Sequence, residues 1–434
     1  MADGSYLPWI VCRAVVRERG DRWRAVPACS LQWASVSNTQ RDAQGLPIIA
    51  VIGDGQLARM MHTEAIELGL APRVLAGAED ASAAQVFGDV RIGDYTNLDD
   101  LKAVVDGAAA ATFDHEHVPN EFLDELIAAG VSVQPQPRAL IYAQDKLEQR
   151  RKMKEIGAPV PEFAPIESAA DAGEFFESVA GEMCLKATRG GYDGHGVWFP
   201  ATREEAESLV ADLLDKGTPL YAERKVDFGR ELSAMVARTP SGEVRAWPVV
   251  ESRQRDGICV EAIAPAPGMT DEQAEYCREL AKKIATELDV TGVLAVELFE
   301  CADEDKSVIV NELAMRPHNT GHWTQDGCVT SQFEQHLRAV LDWPLGSVET
   351  TASYTVMVNT LGADTEPEEP MEDRVIEVMR RYPDAKVHLY GKGHRPGRKM
   401  GHVNVSGTDL DTVLERATAA ADIIVNGSGA AGQD

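Results

Sequence analysis

The sequence predicts an α/β protein that becomes α+β towards its C-terminus, with a doubly wound parallel sheet at the start. Three observations carry this. Apolar strands alternate with helical spacing up to about residue 145. A glycine-dense loop follows a short apolar strand and a lysine near residue 190. From Leu220 onward, β-branched strands dominate.

Residues 1–46 stand apart. They carry six Arg against four acidic residues, so the rest of the chain holds −30 of a net −28. Their apolar residues show no period, and they lack the long apolar core and small-residue cleavage site of a secretory signal. The acidic residues speak against an organelle-import leader. The stretch reads as a flexible extension or an over-long start.

Pro47-Ile48-Ile49-Ala50-Val51-Ile52-Gly53 reads as a buried strand running into Gly53-Asp54-Gly55-Gln56-Leu57, and Met60 to Leu68 has helical spacing. Ala71 to Leu75 and Ala108 to Phe113 read as further strands, with a helix around Leu98 to Val105. Together these form the first domain, 47–145. Gly53-x-Gly55-x-x-Ala58, with Glu79 about 20 residues on, also fits a dinucleotide fingerprint. An NAD-binding dehydrogenase is therefore a rival reading.

Leu147 to Ile156 reads as a helix stopped by Gly157-Ala158-Pro159. Residues 146–219 look like a compact insert around the glycine loop, and a lid. The last domain, 220–434, holds strands at Leu232 to Ala237, Arg245 to Val250, Val293 to Phe299 and Val308 to Val310, with a helix from Asp271 to Leu288. Gly362 to Asp373, with six acidic residues and two prolines, reads as a solvated surface loop.

Composition narrows the function. Apolar residues make up 44% and charged ones 26%, as in a soluble globular protein. A net charge of −28 argues against non-specific nucleic-acid binding and against an anionic membrane. An anionic substrate must be captured by a local basic site. The seven cysteines (12, 29, 184, 259, 277, 301 and 328) are scattered and include no CxxC pair, which suits a reducing cytoplasm. No HExxH occurs, and no apolar run reaches the roughly 20 residues of a membrane span.

Two stretches carry chemistry. Gly190-Gly191-Tyr192-Asp193-Gly194-His195-Gly196 places four glycines in seven positions, just after Lys186. Successive backbone N–H groups in such a loop suit phosphate, and the ammonium can reach it. No Gly-Lys-Ser/Thr follows, so this is not a P-loop, and a hairpin turn is the plainer alternative. In the second stretch, Glu297 lies inside the apolar strand Gly292 to Phe299, and Asn311-Glu312 ends another. A carboxylate in such a strand is costly to bury unless paired or metal-bound. These hard oxygen ligands suit Mg²⁺ with substrate phosphates. The plain alternative is an edge strand that points Glu297 to solvent.

These motifs, together with Glu223-x-x-Val226, Glu231, Arg316-Pro317-His318-Asn319-Thr320-Gly321-His322, Tyr390-Gly391-Lys392 and Arg395-Pro396-Gly397-Arg398-Lys399-Met400-Gly401-His402, occur in the order seen in ATP-grasp ligases. From about 47 to 428 the chain closely resembles the 5-(carboxyamino)imidazole ribonucleotide synthase family, the ATP-dependent carboxylases of microbial purine biosynthesis. The resemblance implies an ATP-grasp fold, with a pre-ATP-grasp domain first, a central lid and a C-terminal domain. It implies ATP, Mg²⁺ (two ions) and bicarbonate, carboxyphosphate as intermediate, aminoimidazole ribonucleotide as substrate, and a homodimer.

Carried over by position, the resemblance assigns nucleotide binding to Lys146, where the family commonly has Arg, and to Lys186 and the loop Gly191, Tyr192, Asp193, Gly194, His195, Gly196 and Val197. Glu223, Arg224, Lys225 and Val226 would read the adenine, and Glu231 the ribose, with Gln254 beside it. Glu297 and Glu312 would hold metal, with Asn311. Arg316 and His318 would surround bicarbonate and the reacting amine, and Asp193 would orient the aminoimidazole. Lys392, Arg398 and Lys399 would hold the ribonucleotide phosphate, completed by Gln56, Leu57, Glu116 and Asn319. His322, His402 and Cys184 read as structural.

Three positions depart from the family. His195 stands where Lys or Arg is common, so either the loop closes less tightly or ATP affinity rises as His195 protonates. The second version requires a slope in affinity between pH 6 and 8. Gln254 replaces a common His, and Asp114-His115-Glu116 a more usual acidic–aromatic–acidic triplet. Other rivals are a formate-dependent glycinamide ribonucleotide transformylase on the same fold and a non-catalytic nucleotide sensor.

Overall fold

The computed structural model describes residues 45–190, 196–302 and 307–429, and in the leader the two-residue strands Val15–Val16 and Arg24–Ala25. Those two strands pair antiparallel, and of the extension expected over 1–46 only these and residues 45 and 46 fall among the described residues.

The first sheet is parallel, ordered Asp89–Ile92, Ala71–Ala76, Ile48–Ile52, Ala110–Phe113. Ile48–Ile52 is buried throughout, as its unbroken apolar run requires. Its chain order reverses there: the next strand pairs on one side, and Ala110–Phe113 on the other. Ligands of doubly wound sheets sit outside the carboxyl ends at such a switch point. The loops that emerge there are Gly53–Gln56, which opens the helix Gln56–Glu67, and Asp114-His115-Glu116.

The second sheet is antiparallel, ordered Phe163–Ile166, Leu220–Arg224, Met183–Ala187, Val197–Trp198. Ile166, Leu185 and Leu220 pack with Phe175 of the helix Ala169–Ser178 and Val210 of the helix Arg203–Asp215. Lys186 pairs with Val197, so the glycine loop connects two neighbouring strands. Residues 191–195 lie outside the described residues.

The third sheet has nine antiparallel strands. Val308–Ala314, Gly292–Cys301 and Phe228–Arg238 lie at one end, and Tyr354–Leu361, Lys399–Gly407 and Lys386–Leu389 at the other. The helix Asp271–Glu287 packs Leu280, Ala281 and Ile284 into the core of the first end. The helix Leu410–Asn426 covers the second with Ala417, Ala420 and Ile424.

Two expectations change. The single strand expected from Arg245 to Val250 is two, Val244–Ala246 and Val250–Arg255, because Pro248 lies between them without an N–H for a ladder. The acidic stretch 362–373 is not all loop. Met371–Arg381 is a helix whose first turn takes Glu372 and Asp373, where carboxylates meet the positive end of the dipole. Glu369 accepts hydrogen bonds from the Ser428 backbone N–H and hydroxyl, tying the stretch to the end of the last helix.

Candidate active site

A cleft of about 1110 Å³ is lined by residues of the second and third sheets and by Glu116 to Glu121, the segment that follows the strand Ala110–Phe113 of the first. Lys186 rises into it from Met183–Ala187, and Glu223 from the neighbouring strand. The Glu223 carboxylate is almost wholly buried and takes a hydrogen bond from Arg150 Nε (2.8 Å) and an ion pair from Lys186. Burial would raise its pKa, but the Arg150 and Lys186 cations outweigh burial and hold it at about 2. Sequence reading missed Arg150. The signal was present, since Arg150 lies one helical turn beyond Lys146 on the helix Lys146–Glu155 and so shares its face.

Lys146 starts that helix, capped by Asp145, whose carboxylate accepts the Leu147 and Glu148 N–H groups. Its ammonium lies 2.5 Å from a Glu312 oxygen. Glu312 pairs across the sheet with Glu297, and the next register pair is Leu298 with Val310. Asn311 is thus the extra residue of a β-bulge. In a regular strand Asn311 and Glu312 would face opposite sides. With the bulge, both line the cleft, as does Glu297. The edge-strand alternative for Glu297 is excluded, since Gly292–Cys301 has neighbours on both sides. Burial, then the Glu312 carboxylate, push Glu297 up to about 8. Two carboxylates this close are a mutual strain that a divalent cation would relieve. Among the described residues no group of three or more His, Cys, Asp and Glu forms a cation cage. A pair of carboxylates with open positions is what Mg²⁺ bound through nucleotide phosphates uses.

Arg316 donates from Nε to Glu116 Oε2 (2.8 Å), and the other Glu116 oxygen accepts the Met315 N–H (3.2 Å). Glu116, assigned by position to the ribonucleotide, therefore also clamps the arginine that the resemblance places in the reaction. His318 Nε2 lies 3.3 Å from Glu297 Oε1, and Nδ1 lies 2.9 Å from the Thr320 hydroxyl. Burial, then Arg316 and Lys399, lower its pKa to about 3, so the ring is neutral near pH 7. Asn319 Nδ2 is buried without a partner, and the residue lines the cleft. Glu231 accepts from Gln254 Nε2 at 2.5 Å, and burial raises its pKa to about 7.

Beside the cleft, Lys392 donates to Gln56 Oε1 at the N-terminus of Gln56–Glu67 and sits 5.6 Å from the Tyr390 ring centre. A helix N-terminus with an adjacent ammonium has the charge that suits a phosphate. Burial, then Arg398, lower the Lys392 pKa to about 8. Lys399 lines the cleft itself, while Arg398 donates to the Gly393 carbonyl (3.2 Å). Leu57 is different: its side chain belongs to the first domain's core, leaving its backbone for a ligand. Arg224, Lys225, Val226 and Val197 also line the cleft, and the Gly196 carbonyl accepts the Ala187 N–H. Gly191, Tyr192, Asp193, Gly194 and His195 lie outside the described residues.

Asp114, buried at the switch point, accepts the Gly55 N–H at 2.5 Å. A Cβ on Gly53, at φ +111°, would sit 1.8 Å from Asp114 Oδ1. The glycines thus admit this carboxylate, which takes the N–H that a dinucleotide pyrophosphate would need. That removes the physical basis of the dehydrogenase reading.

The sequence matches the ribonucleotide synthetase pre-ATP-grasp domain over 46–144, the ATP-grasp domain over 151–333 and the phosphoribosylaminoimidazole carboxylase C-terminal domain over 355–416. It is 60% identical over 391 residues to the N5-carboxyaminoimidazole ribonucleotide synthase of Corynebacterium ammoniagenes, covering 90% of this chain and 94% of that one. This chain belongs to the N5-carboxyaminoimidazole ribonucleotide synthase family. It is an ATP-grasp ligase. The family's enzyme from Mycobacterium leprae is 51% identical, with 89% and 91% covered. Among solved structures, the family's enzyme from Thermus thermophilus matches with TM-score 0.77 at 35% identity, covering 87% of this chain and 98% of that one. The Aspergillus clavatus enzyme in complex with ADP and 5-aminoimidazole ribonucleotide matches with TM-score 0.77 at 30% identity, with 87% and 98% covered. No helix among the described residues is long and apolar enough to cross a membrane.

Proposed function

We propose that this chain carboxylates the exocyclic amine of 5-aminoimidazole ribonucleotide with ATP and bicarbonate, in purine biosynthesis. One observation carries the reading. Lys146, Lys186, Glu297, Glu312, Arg316 and His318 line one cleft, with Lys146 paired to Glu312 and His318 beside Glu297, and Lys392 meets Gln56 at a helix N-terminus. The structural relative solved with both ADP and the ribonucleotide supports this pairing of ligands.

Lys186 and Lys146 neutralise the nucleotide phosphates, and the strand end Glu223 to Val226 presents backbone groups to the adenine. Glu231, oriented by Gln254, holds the ribose. Glu297 and Glu312, with Asn311, would hold Mg²⁺, which when bound neutralises charge on the transferring phosphoryl group. Bicarbonate attacks the γ-phosphate of ATP, giving carboxyphosphate and ADP. Arg316, fixed by Glu116, stabilises that anion. The amine attacks the carbon, phosphate leaves, and neutral His318 accepts the released proton. Asp193 orients the ring. Residues 146–219 serve as the lid that keeps water from carboxyphosphate. The chain works as a homodimer in the cytoplasm, and sedimentation of the purified protein tests the dimer.

ADP release with Mg²⁺-ATP and bicarbonate, with and without the ribonucleotide, tests the whole reading. Strong stimulation with a labile carboxylated product supports it. Release that answers only to formate and glycinamide ribonucleotide would replace it with the transformylase reading.

A further inference from the structure

His318 caps a short turn, Asn319–Gly321, and within that turn its Nδ1 meets the Thr320 hydroxyl (2.9 Å) and N–H (3.4 Å), which orient the ring. What holds the His318 backbone, and so the place of the ring, comes from another element. Gln332 is the first residue of the helix Gln332–Val340 and is fully buried. Its backbone N–H, one of the donors that a helix start leaves free, goes to the Thr324 hydroxyl (2.8 Å).

The Gln332 side chain faces back on the turn. Its Oε1 accepts the His318 N–H (2.8 Å), and its Nε2 donates to the His318 carbonyl (2.9 Å). One carboxamide thus holds both backbone groups of one residue, as a neighbouring strand would. This fixes the amide's orientation, since a flipped amide would set N–H against N–H and C=O against C=O. The second Nε2 hydrogen goes to His322 Nδ1 (2.9 Å), so one acceptor site and both donors are used. Packing closes the remaining freedom. A Cβ on Gly321 would lie 2.4 Å from Gln332 Oε1 and 2.4 Å from the Met235 methyl. The turn cannot slide without breaking the amide contacts.

We infer that Gln332 is the positioning residue for His318: its carboxamide, bonded to the His318 N–H and C=O and to His322, sets where the His318 imidazole stands beside Glu297. Gln332 lies outside the lining of the cleft, so it acts through His318 rather than on substrate. The inference rests on the proposed role of His318 in the carboxylation.

A double-mutant cycle on the full chain tests it, with His318→Ala, Gln332→Met and the pair assayed with Mg²⁺-ATP, bicarbonate and aminoimidazole ribonucleotide. Gln332→Met should lower kcat by about 10–100-fold with the KM for ATP unchanged, the scale expected when a reacting group is misplaced by about 1 Å. On the His318→Ala background it should cost nothing further. An equal loss on both backgrounds would overturn the inference, marking Gln332 as a general support of the fold. So would a normal kcat in Gln332→Met while His318→Ala is impaired. A normal kcat in His318→Ala would sink the role of His318 itself, and the positioning role with it. If the methionine variant does not fold, isosteric Gln332→Glu goes through the same cycle. It keeps an acceptor for the His318 N–H but sets an oxygen against the His318 carbonyl, and the same outcomes decide.

Discussion

The Lys146 ammonium and the Glu312 carboxylate form an ion pair at 2.5 Å, joining the start of one helix to a bulged strand end across the cleft. The cation proposed for phosphate and the anion proposed for metal neutralise each other. Binding of Mg²⁺ with nucleotide gives each a new partner of the right sign, so neither charge is left bare in a partly buried site.

Glu312→Gln should therefore remove turnover while keeping the fold, because it deletes one hard anionic ligand at constant size. ADP release should fall by at least about 100-fold, the scale of losing one charge-stabilising group. The melting temperature should stay within a few degrees. Near-normal release would move the metal role elsewhere.

Acid stability should report on Glu223. Its carboxyl is held at about 2 against an ordinary 4.5 by Arg150 and Lys186, which overcome burial. A pKa depressed on folding adds stability above the unfolded value and loses it as pH falls through the folded value. This contribution is therefore complete above about pH 4.5 and drains away towards pH 2. Glu223→Gln should cost about 3–5 kcal/mol at pH 7, because it strands buried cations. Urea unfolding at a series of pH values should show the gap to wild type closing below pH 4.5. A gap that persists unchanged to the lowest measurable pH would contradict the pairing.

Lys392→Ala should raise the KM for the ribonucleotide by about 10–100-fold, as loss of a charge-assisted phosphate contact does, and leave the KM for ATP alone. Its pKa of about 8 adds a pH signature. The ammonium is charged below that value and loses its charge above it, so the wild-type KM for the ribonucleotide should climb between pH 7 and 9. Lys392→Arg, charged throughout, should flatten the climb. Parallel profiles in the two proteins would assign the phosphate to other groups.

Glu116→Ala should lower kcat more than it changes either KM, since its carboxylate holds the Arg316 side chain and the Met315 N–H together. Steady-state kinetics should show a fall of about 10-fold or more, with Arg316 left free to wander. If only the ribonucleotide KM moves, Glu116 acts on the ligand alone.

Much of this molecule was legible in its residue order. The unbroken apolar run Ile48–Ile52 read as a buried strand, the alternation of strands and helices after it as a parallel sheet, and Gly53 and Gly55 marked the turn that follows it. The strands at the far end of the third sheet were harder to read. Asn359, Thr360, His402 and Asn404 are polar yet buried, which breaks the apolar pattern that betrays a strand.

By itself, the sequence determined the mixed α/β class and the parallel first domain, because hydrophobic period and turn chemistry are local properties of a chain, while most of the charged groups assigned to the cleft followed from the order of motifs in the family it resembles. Only the tertiary structure decided how those groups are partnered. Glu116 meets Arg316 across 200 residues, and Arg150 meets Glu223 across 73. Asn311 and Glu312 face one way only because of a bulge against the neighbouring strand. Spacing along a chain fixes which face a side chain takes. The identity, distance and charge of what it meets there depend on packing between segments far apart in sequence, and these set the pKa of each group.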